Sequence, residues 1–304
     1  MSASRALGRA ALAPASGALY VLAAAVEGLD YEAALELGRA LGRIWYHALP
    51  IRRSTIVSAL GASFPTWSAE QAAATARSVM CLCASNVITL LWATADSTRP
   101  RDILDVVRFE GLEHYEREAD RGVVLATTHT GNWDLAALAA CARGVELTVV
   151  SRNLSYGPLD RMWRRRRAAA GVTLLDESRG LNAVLGALQP GRALALMIDQ
   201  RTGPDLAGIR LPFLGREAWT STLPAAVALR RTRAIVPITS RVDEDSRLVI
   251  RVHEPVEPGT RGTAMDRIRG VTATLSRTLE DWIRLHPDSW LWLHRRWAEE
   301  PAHR

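Results

Sequence analysis

The chain is 304 residues long and 48% apolar, enough to bury one sizeable core, and no low-complexity tract or Pro/Gly/Ser-rich linker divides it, so a single domain is expected. All 38 basic residues are arginine, and a net charge of +6 with a pI near 9.9 suits an anionic lipid surface, a phosphorylated acceptor or an acidic carrier protein, as it also suits a GC-rich genome. Nucleic acid is not expected as a partner, because the arginines are dispersed through apolar segments and no helix-turn-helix, zinc-finger or ribonucleoprotein motif accompanies them.

From Ala10 to Val26 the chain is apolar but interrupted by Pro14, Ser16 and Gly17. It meets Glu27 short of the roughly 20 residues a spanning helix needs, which predicts a segment lying on a membrane and not crossing it. Residues 31 to 50 repeat Leu35, Leu41, Ile44, Trp45 and Leu49 with Arg39, Arg43 and His47 between them. That is a basic amphipathic helix ended by Pro50, which either docks on anionic lipid or packs on the protein's own core. Residues 68 to 94 read as a helix opened by a Ser68/Gln71 capping box. A short strand at 106–109 and a helix to Asp120 lead to an apolar strand from Val123 to Ala126. Gly131 and Asn132 break it, and Leu135 to Cys141 resume as an Ala-rich helix. Further strands are expected at 145–150, 172–175, 193–198, 234–238 and 249–252, with helices at 158–169, 180–188, 220–231 and 262–284. Strands separated by helices predict an α/β fold with a mixed, largely parallel sheet flanked by helices, its ligand site beyond the carboxyl ends of the strands. Cys81, Cys83 and Cys141 lie in helical surroundings without the spacing of a zinc site and read as buried thiols; no motif calls for a metal or a redox cofactor.

His129 falls at the strand-to-helix turn and Asp134 follows five residues later. On one continuous helix that separation would turn the side chains about 140° apart. The two meet only if His129 precedes the helix and Asp134 lies in its first turn. A neutral imidazole can take a proton from an alcohol near neutral pH, and a carboxylate on its other nitrogen fixes the tautomer and stabilises the imidazolium. The helix N-terminus adds N–H donors for an oxyanion or phosphate. The bland alternative is a loop histidine beside a carboxylate that merely complements the helix dipole.

Asp199 also follows a strand and faces the same crevice; it either serves the site or simply ends the strand in a turn with Thr202 and Gly203. Arg152, at a strand end, is the preferred phosphate contact in a basic stretch that includes Arg161 and the run from Arg164 to Arg167, which otherwise reads as a solvated helix face. Near the C-terminus, Trp290 and Trp292 read as core packing and Arg295 and Arg296 as interfacial or substrate contacts.

Four blocks occur in one order: His129-Thr-Gly-Asn132-Trp-Asp134, Asp199-Gln200, Pro212-Phe-Leu-Gly215 and Trp290-Leu-Trp-Leu-His294-Arg295-Arg296-Trp297. In these the chain resembles the bacterial lipid A biosynthesis acyltransferases, the lauroyl and myristoyl transferase family that also includes phosphatidylinositol mannoside acyltransferases. The resemblance implies a glycerolipid-acyltransferase-like fold, with a helical, membrane-facing region over 1–100 and a catalytic core over 101–304. It implies that His129 and Asp134 of the His-x4-Asp motif are catalytic and that Asn132, Asp199 and Gln200 contact substrate. The donor would be an acyl thioester of acyl carrier protein or coenzyme A. The acceptor would be a membrane glycolipid, a lipid A precursor first and a phosphatidylinositol mannoside or lysophospholipid as alternatives. The protein would sit peripherally, or weakly anchored, at the cytoplasmic face of the bacterial inner membrane. A silent lipid-binding relative is the contrasting possibility, against which the retained His129 and Asp134 speak.

Overall fold

The computed structural model describes residues 21–152 and 157–297; most of the apolar run 10–26, and the arginine-flanking segment 153–156, lie outside them. The N-terminal region is helical: α1 (Tyr31–Ala48), α2 (Arg53–Ser63), α3 (Ala69–Ala93) and the short α4 (Pro100–Asp105). Asp30 caps α1 by accepting from the Ala33 N–H at 2.7 Å, and Ser68 and Gln71 form the expected capping box on α3. The two helices pack through glycines. A Cβ at Gly38 would lie 2.4 Å from the Ser85 Cα, and one at Gly42 would lie 2.3 Å from the Cys81 Cα, so only hydrogen at these positions lets the backbones meet. This Gly face is what α1 buries, together with Leu35, while Ile44 and Leu49, which the apolar periodicity assigned to the same stripe, remain exposed. Helix α3 is long and apolar enough to cross a membrane, yet half of its apolar window is buried within the fold.

The rest alternates strand and helix: β1 (Val107–Glu110), α5 (Leu112–Ala119), β2 (Val123–Thr127), α6 (Trp133–Ala142), β3 (Glu146–Ser151), α7 (Gly157–Ala169), β4 (Thr173–Asp176), α8 (Gly180–Ala187) and β5 (Arg192–Met197). The hairpin β6 (Ile209–Phe213) and β7 (Arg216–Thr220) follows, then α9 (Leu223–Arg231), β8 (Ile235–Val242), β9 (Leu248–Val252) and α10 (Ala264–Leu285). Seven strands form one sheet in the order β1-β9-β8-β2-β5-β3-β4, parallel throughout except for the antiparallel pair β8 and β9. β2 lies between β8 and β5 and is covered on both faces, which is why Val123 to Ala126 is an unbroken apolar run. The strands of this sheet and the helices between them were expected from periodicity; the hairpin β6 and β7 was not. The predicted helix 220–231 starts at Leu223, and the strand β7 before it forms because Ala218 and Thr220 alternate inward with Leu211 and Phe213 across the hairpin. Leu214 and Gly215, both at positive φ, make its turn. Parallel strands all end at one edge of the sheet, and β2 and β5 end there side by side.

Candidate active site

Beyond Thr127, the last residue of β2, the chain makes a turn fixed from three sides. Thr130 accepts from the Ser240 N–H at 2.9 Å and its carbonyl accepts from the Ser240 hydroxyl at 2.6 Å. The Asn86 amide of α3 donates to the Gly131 carbonyl at 2.7 Å. The Gly131 N–H donates to the Ser289 carbonyl at 2.7 Å, and the Leu291 N–H to the His129 carbonyl at 3.0 Å. Gly131 adopts φ 54°, and a Cβ there would lie 2.6 Å from the Ser240 Oγ, so conformation and space both demand glycine. Asn132 then caps α6, accepting from the Leu135 N–H at 3.0 Å and donating to the Thr89 hydroxyl at 2.7 Å. Both ends of its amide are therefore used in building the turn. It is buried behind the cavity wall and not presented to a substrate.

His129 projects from this turn with its side chain 14% exposed. Its Nδ1 lies 2.9 Å from Asp199 Oδ1, and its backbone N–H donates to Asp199 Oδ2 at 2.8 Å. The Trp290 indole N–H donates to the same Oδ2 at 2.9 Å. The Asp199 carboxylate is thus fully hydrogen-bonded and 2% exposed. Burial alone would raise its pKa, but the charge and hydrogen bonds of His129 and the Trp290 bond hold it at about 2, so it stays an acceptor. Nδ1 therefore carries the proton it shares with Asp199, and Nε2 is left with a lone pair. Burial also disfavours the imidazolium, yet the charge and hydrogen bond of Asp199, with the charge of Asp134 added, outweigh it and raise the His129 pKa above its ordinary value.

Asp134 was expected at this ring nitrogen; the structure puts Asp199 there instead. Asp134, in the first turn of α6, pairs with Arg167 of α7 at 2.6 Å and also bonds the Trp163 side chain. Burial pushes its carboxyl up, and Arg167 pulls it part of the way back. It acts on His129 through charge and not through contact. The adjacency responsible is that of β2 and β5, whose parallel register sets Thr127 beside Met197 and carries the next turn of each strand to the same spot. Nothing in the spacing of residues 129 and 199 announces it. Arg167 and Trp163 went unrecognised for the same reason, lying in a run that reads as a solvated helix face.

The C-terminal Trp-rich run holds the loop that carries Asp199, one bond to each of three successive residues. Trp290 takes Asp199, as above. Arg296 donates to the Gln200 carbonyl at 2.9 Å and also reaches the Trp219 carbonyl and, at 2.7 Å, the Thr220 hydroxyl. His294, whose burial lowers its pKa to about 4 and keeps it neutral, accepts from the Arg201 N–H at 2.8 Å. Arg296 is 1% exposed and ties the 199–201 loop to β7, so it is a structural clamp where an interfacial or substrate contact was expected. Trp290 and Trp292 are core residues, at 1% and 0% exposure. Arg295 is exposed and does not line the cavity. Arg152 does line it, at the rim, with its Nε 2.5 Å from Glu177. The Gln200 side-chain amide lies 3.4 Å from His129 Nε2.

In front of Nε2 opens a cavity of ≈ 1580 Å³. One wall is apolar, between the sheet and α6, where Ala136, Ala137 and Ala140 face Leu125, Leu147 and Val149. Alanines on the helix keep the space that larger residues would fill. The wall runs along α6 from Trp133 to its C-cap Arg143, a length of helix of about 15 Å at 1.5 Å per residue. A polar mouth around an oriented imidazole, continuous with an apolar shaft, can hold an alkyl chain by its length and its reacting head at the base.

The profile of a family described as bacterial lipid A biosynthesis acyltransferase matches residues 13–299. A phosphatidylinositol mannoside acyltransferase of Mycolicibacterium smegmatis is 25% identical over 211 residues, covering 67% of this chain and 66% of that protein. Its namesake from Mycobacterium tuberculosis is 27% identical over 198 residues, covering 62% and 60%. The chain thus matches less than two thirds of the length of either relative. A solved 1-acyl-sn-glycerophosphate acyltransferase from Thermotoga maritima superposes with a TM-score of 0.39 at 12% identity, covering 87% of this chain and all of that one.

Proposed function

Since the chain belongs to the bacterial lipid A biosynthesis acyltransferase family, and is thus an acyltransferase acting on lipids, we propose that it moves an acyl chain from a thioester to a hydroxyl of a membrane glycolipid, with His129 as general base. The observation that carries this is the pairing of His129 Nδ1 with a buried, ionised Asp199 in a ring that lines the cavity continuous with the apolar shaft. Nε2 takes the proton of the acceptor hydroxyl as its oxygen attacks the thioester carbonyl; Asp199 stabilises the imidazolium that forms. The carbonyl oxygen, now an oxyanion, receives donors from the Gln200 amide beside Nε2 and from the first N–H groups of α6. The tetrahedral intermediate collapses with loss of the thiolate, to which the imidazolium returns the proton. The hydroxyls that flank His129 in the chain, Thr127, Thr128 and Thr130, are built into strand end and turn, which supports direct transfer without an acyl-enzyme.

For the acceptor, the names of the mycobacterial relatives favour a mannose on a phosphoinositide over the glucosamine disaccharide of a lipid A precursor. The thioester would come from coenzyme A or acyl carrier protein. The exposed Ile44, Leu49 and Ile51 near the end of α1, beside Arg43, His47 and Arg52, support peripheral docking of that end on an anionic membrane. The assay is incubation of the purified protein with an acyl-coenzyme A and either acceptor, read by mass spectrometry. Gain of one acyl group by phosphatidylinositol mannoside, lost in His129→Ala, is expected; acylation of neither acceptor by native protein would refute the reading.

A further inference from the structure

A second cavity, of ≈ 640 Å³, shares no lining residue with the one in front of His129. One of its walls is built by α1 and α3 and carries Arg39, Arg43, Arg77, Ser78 and Cys81. The glycines that bring the two helices together also gather these arginines. Arg39 and Arg43 each follow a glycine of the contact, Gly38 and Gly42, and a Cβ at Gly42 would lie 2.3 Å from the Cys81 Cα. Arg77 stands one turn before Cys81 on α3. All three guanidiniums act on the Cys81 thiol: burial raises its pKa, the charges of Arg43, Arg77 and Arg39 lower it, and Glu36 is the one carboxylate that adds to the rise.

Glu36 is already taken by Arg39 at 2.5 Å, and Arg39 also donates to the Ser246 hydroxyl at 3.2 Å. Arg43 and Arg77 have no carboxylate within ion-pair distance among the described residues. The facing wall does not supply one. Its Asp243 lies 3.7 Å from Arg108 and accepts from the Arg247 N–H at 2.9 Å, while its Glu244 and Asp288 are exposed. Three like charges gathered around one acid repel each other, and a bound anion offsets that repulsion. Guanidinium forks match phosphate oxygens in pairs, and the Ser78 hydroxyl adds a donor on the same wall. We infer that Arg39, Arg43 and Arg77, with Ser78 beside them, form a binding site for a phosphate group, separate from the cavity that holds His129. Ile44, which follows Arg43 and is 55% exposed, sets this site beside the apolar end of α1. That neighbour favours the phosphate of a lipid headgroup over free phosphate.

The test follows alkylation of Cys81 by iodoacetamide on the full chain at mildly alkaline pH, resolved by peptide mass spectrometry with Cys141 as internal reference. The soluble probe is inorganic pyrophosphate; the lipid probes are phosphatidylcholine vesicles with and without phosphatidic acid. Pyrophosphate and phosphatidic acid should each protect Cys81 saturably, and phosphatidylcholine alone should not. Arg77→Gln, at an exposed position outside the helix contact, should raise the concentration for half-protection roughly tenfold or more, the worth of one charge-assisted hydrogen bond. Arg43→Gln, as an independent variant, should do the same for pyrophosphate. Arg269→Gln, which removes an exposed arginine of α10, should change nothing and so separates a site from net charge. Protection by pyrophosphate alone would keep the phosphate site and overturn the lipid source. Protection by neither probe, or protection that Arg77→Gln leaves as it was, would overturn the site.

Discussion

Asp199 accepts from an imidazole, a backbone amide and an indole, and those bonds decide what His129 can do. Because the carboxylate favours the imidazolium, protonation removes the base at a pH above the ordinary 6.5 of histidine. The sign follows: kcat/KM should fall as pH drops, with an inflection above 6.5 in the native enzyme. Asp199→Asn should move that inflection downward and lower kcat by about 10²- to 10⁴-fold. Matched pH-rate profiles check both, and an unmoved inflection would exclude Asp199 as the partner. Asp134 predicts differently. Arg167→Met leaves its buried carboxylate without a counter-charge and should cost about 3 kcal/mol in denaturant unfolding, and adding Asp134→Asn should recover much of it. A local reading found His129, since strand, Gly131-Asn132 break and helix are contiguous. It could not find the carboxylate, because the two candidates sit five and seventy residues away and only strand order separates them.

Helices and strands were legible where one periodicity ruled. In α1 two signals competed: five large apolar residues suggested an inward stripe, but the close approach to α3 runs along Gly38 and Gly42, leaving Ile44 and Leu49 outside. The hairpin β6 and β7 was hidden because its turn places a leucine, Leu214, at positive φ, where sequence reading expects glycine or asparagine first. Glycines in the helical region give a paired test. Gly61 of α2 has open space around its missing Cβ, so Gly61→Ala should stabilise by about 0.5–1 kcal/mol through helix propensity. Gly42→Ala carries the same propensity gain but must push α1 off α3, so it should destabilise by about 1–3 kcal/mol. Thermal or denaturant midpoints of both variants check the opposite signs; equal signs would mean that the helices do not meet along this face.

At the scale of the molecule, the sheet's carboxyl edge gathers what the sequence disperses: the turn after β2, the loop after β5 and the C-terminal run that clamps them. On the proposed acyl-transfer reading, the apolar shaft beneath α6 measures the donor chain. Filling it with Ala140→Trp should shift preference toward shorter acyl thioesters, each lost buried methylene being worth about 0.8 kcal/mol, as a competition assay between thioesters of different length would show. All of this depends on one proton transfer. The direct measurement is the acyl-transfer rate of His129→Ala under conditions where circular dichroism and unfolding midpoint show the fold intact. A fall of about 10²- to 10⁴-fold is predicted for loss of a positioned general base. Turnover near that of the native protein would contradict the account.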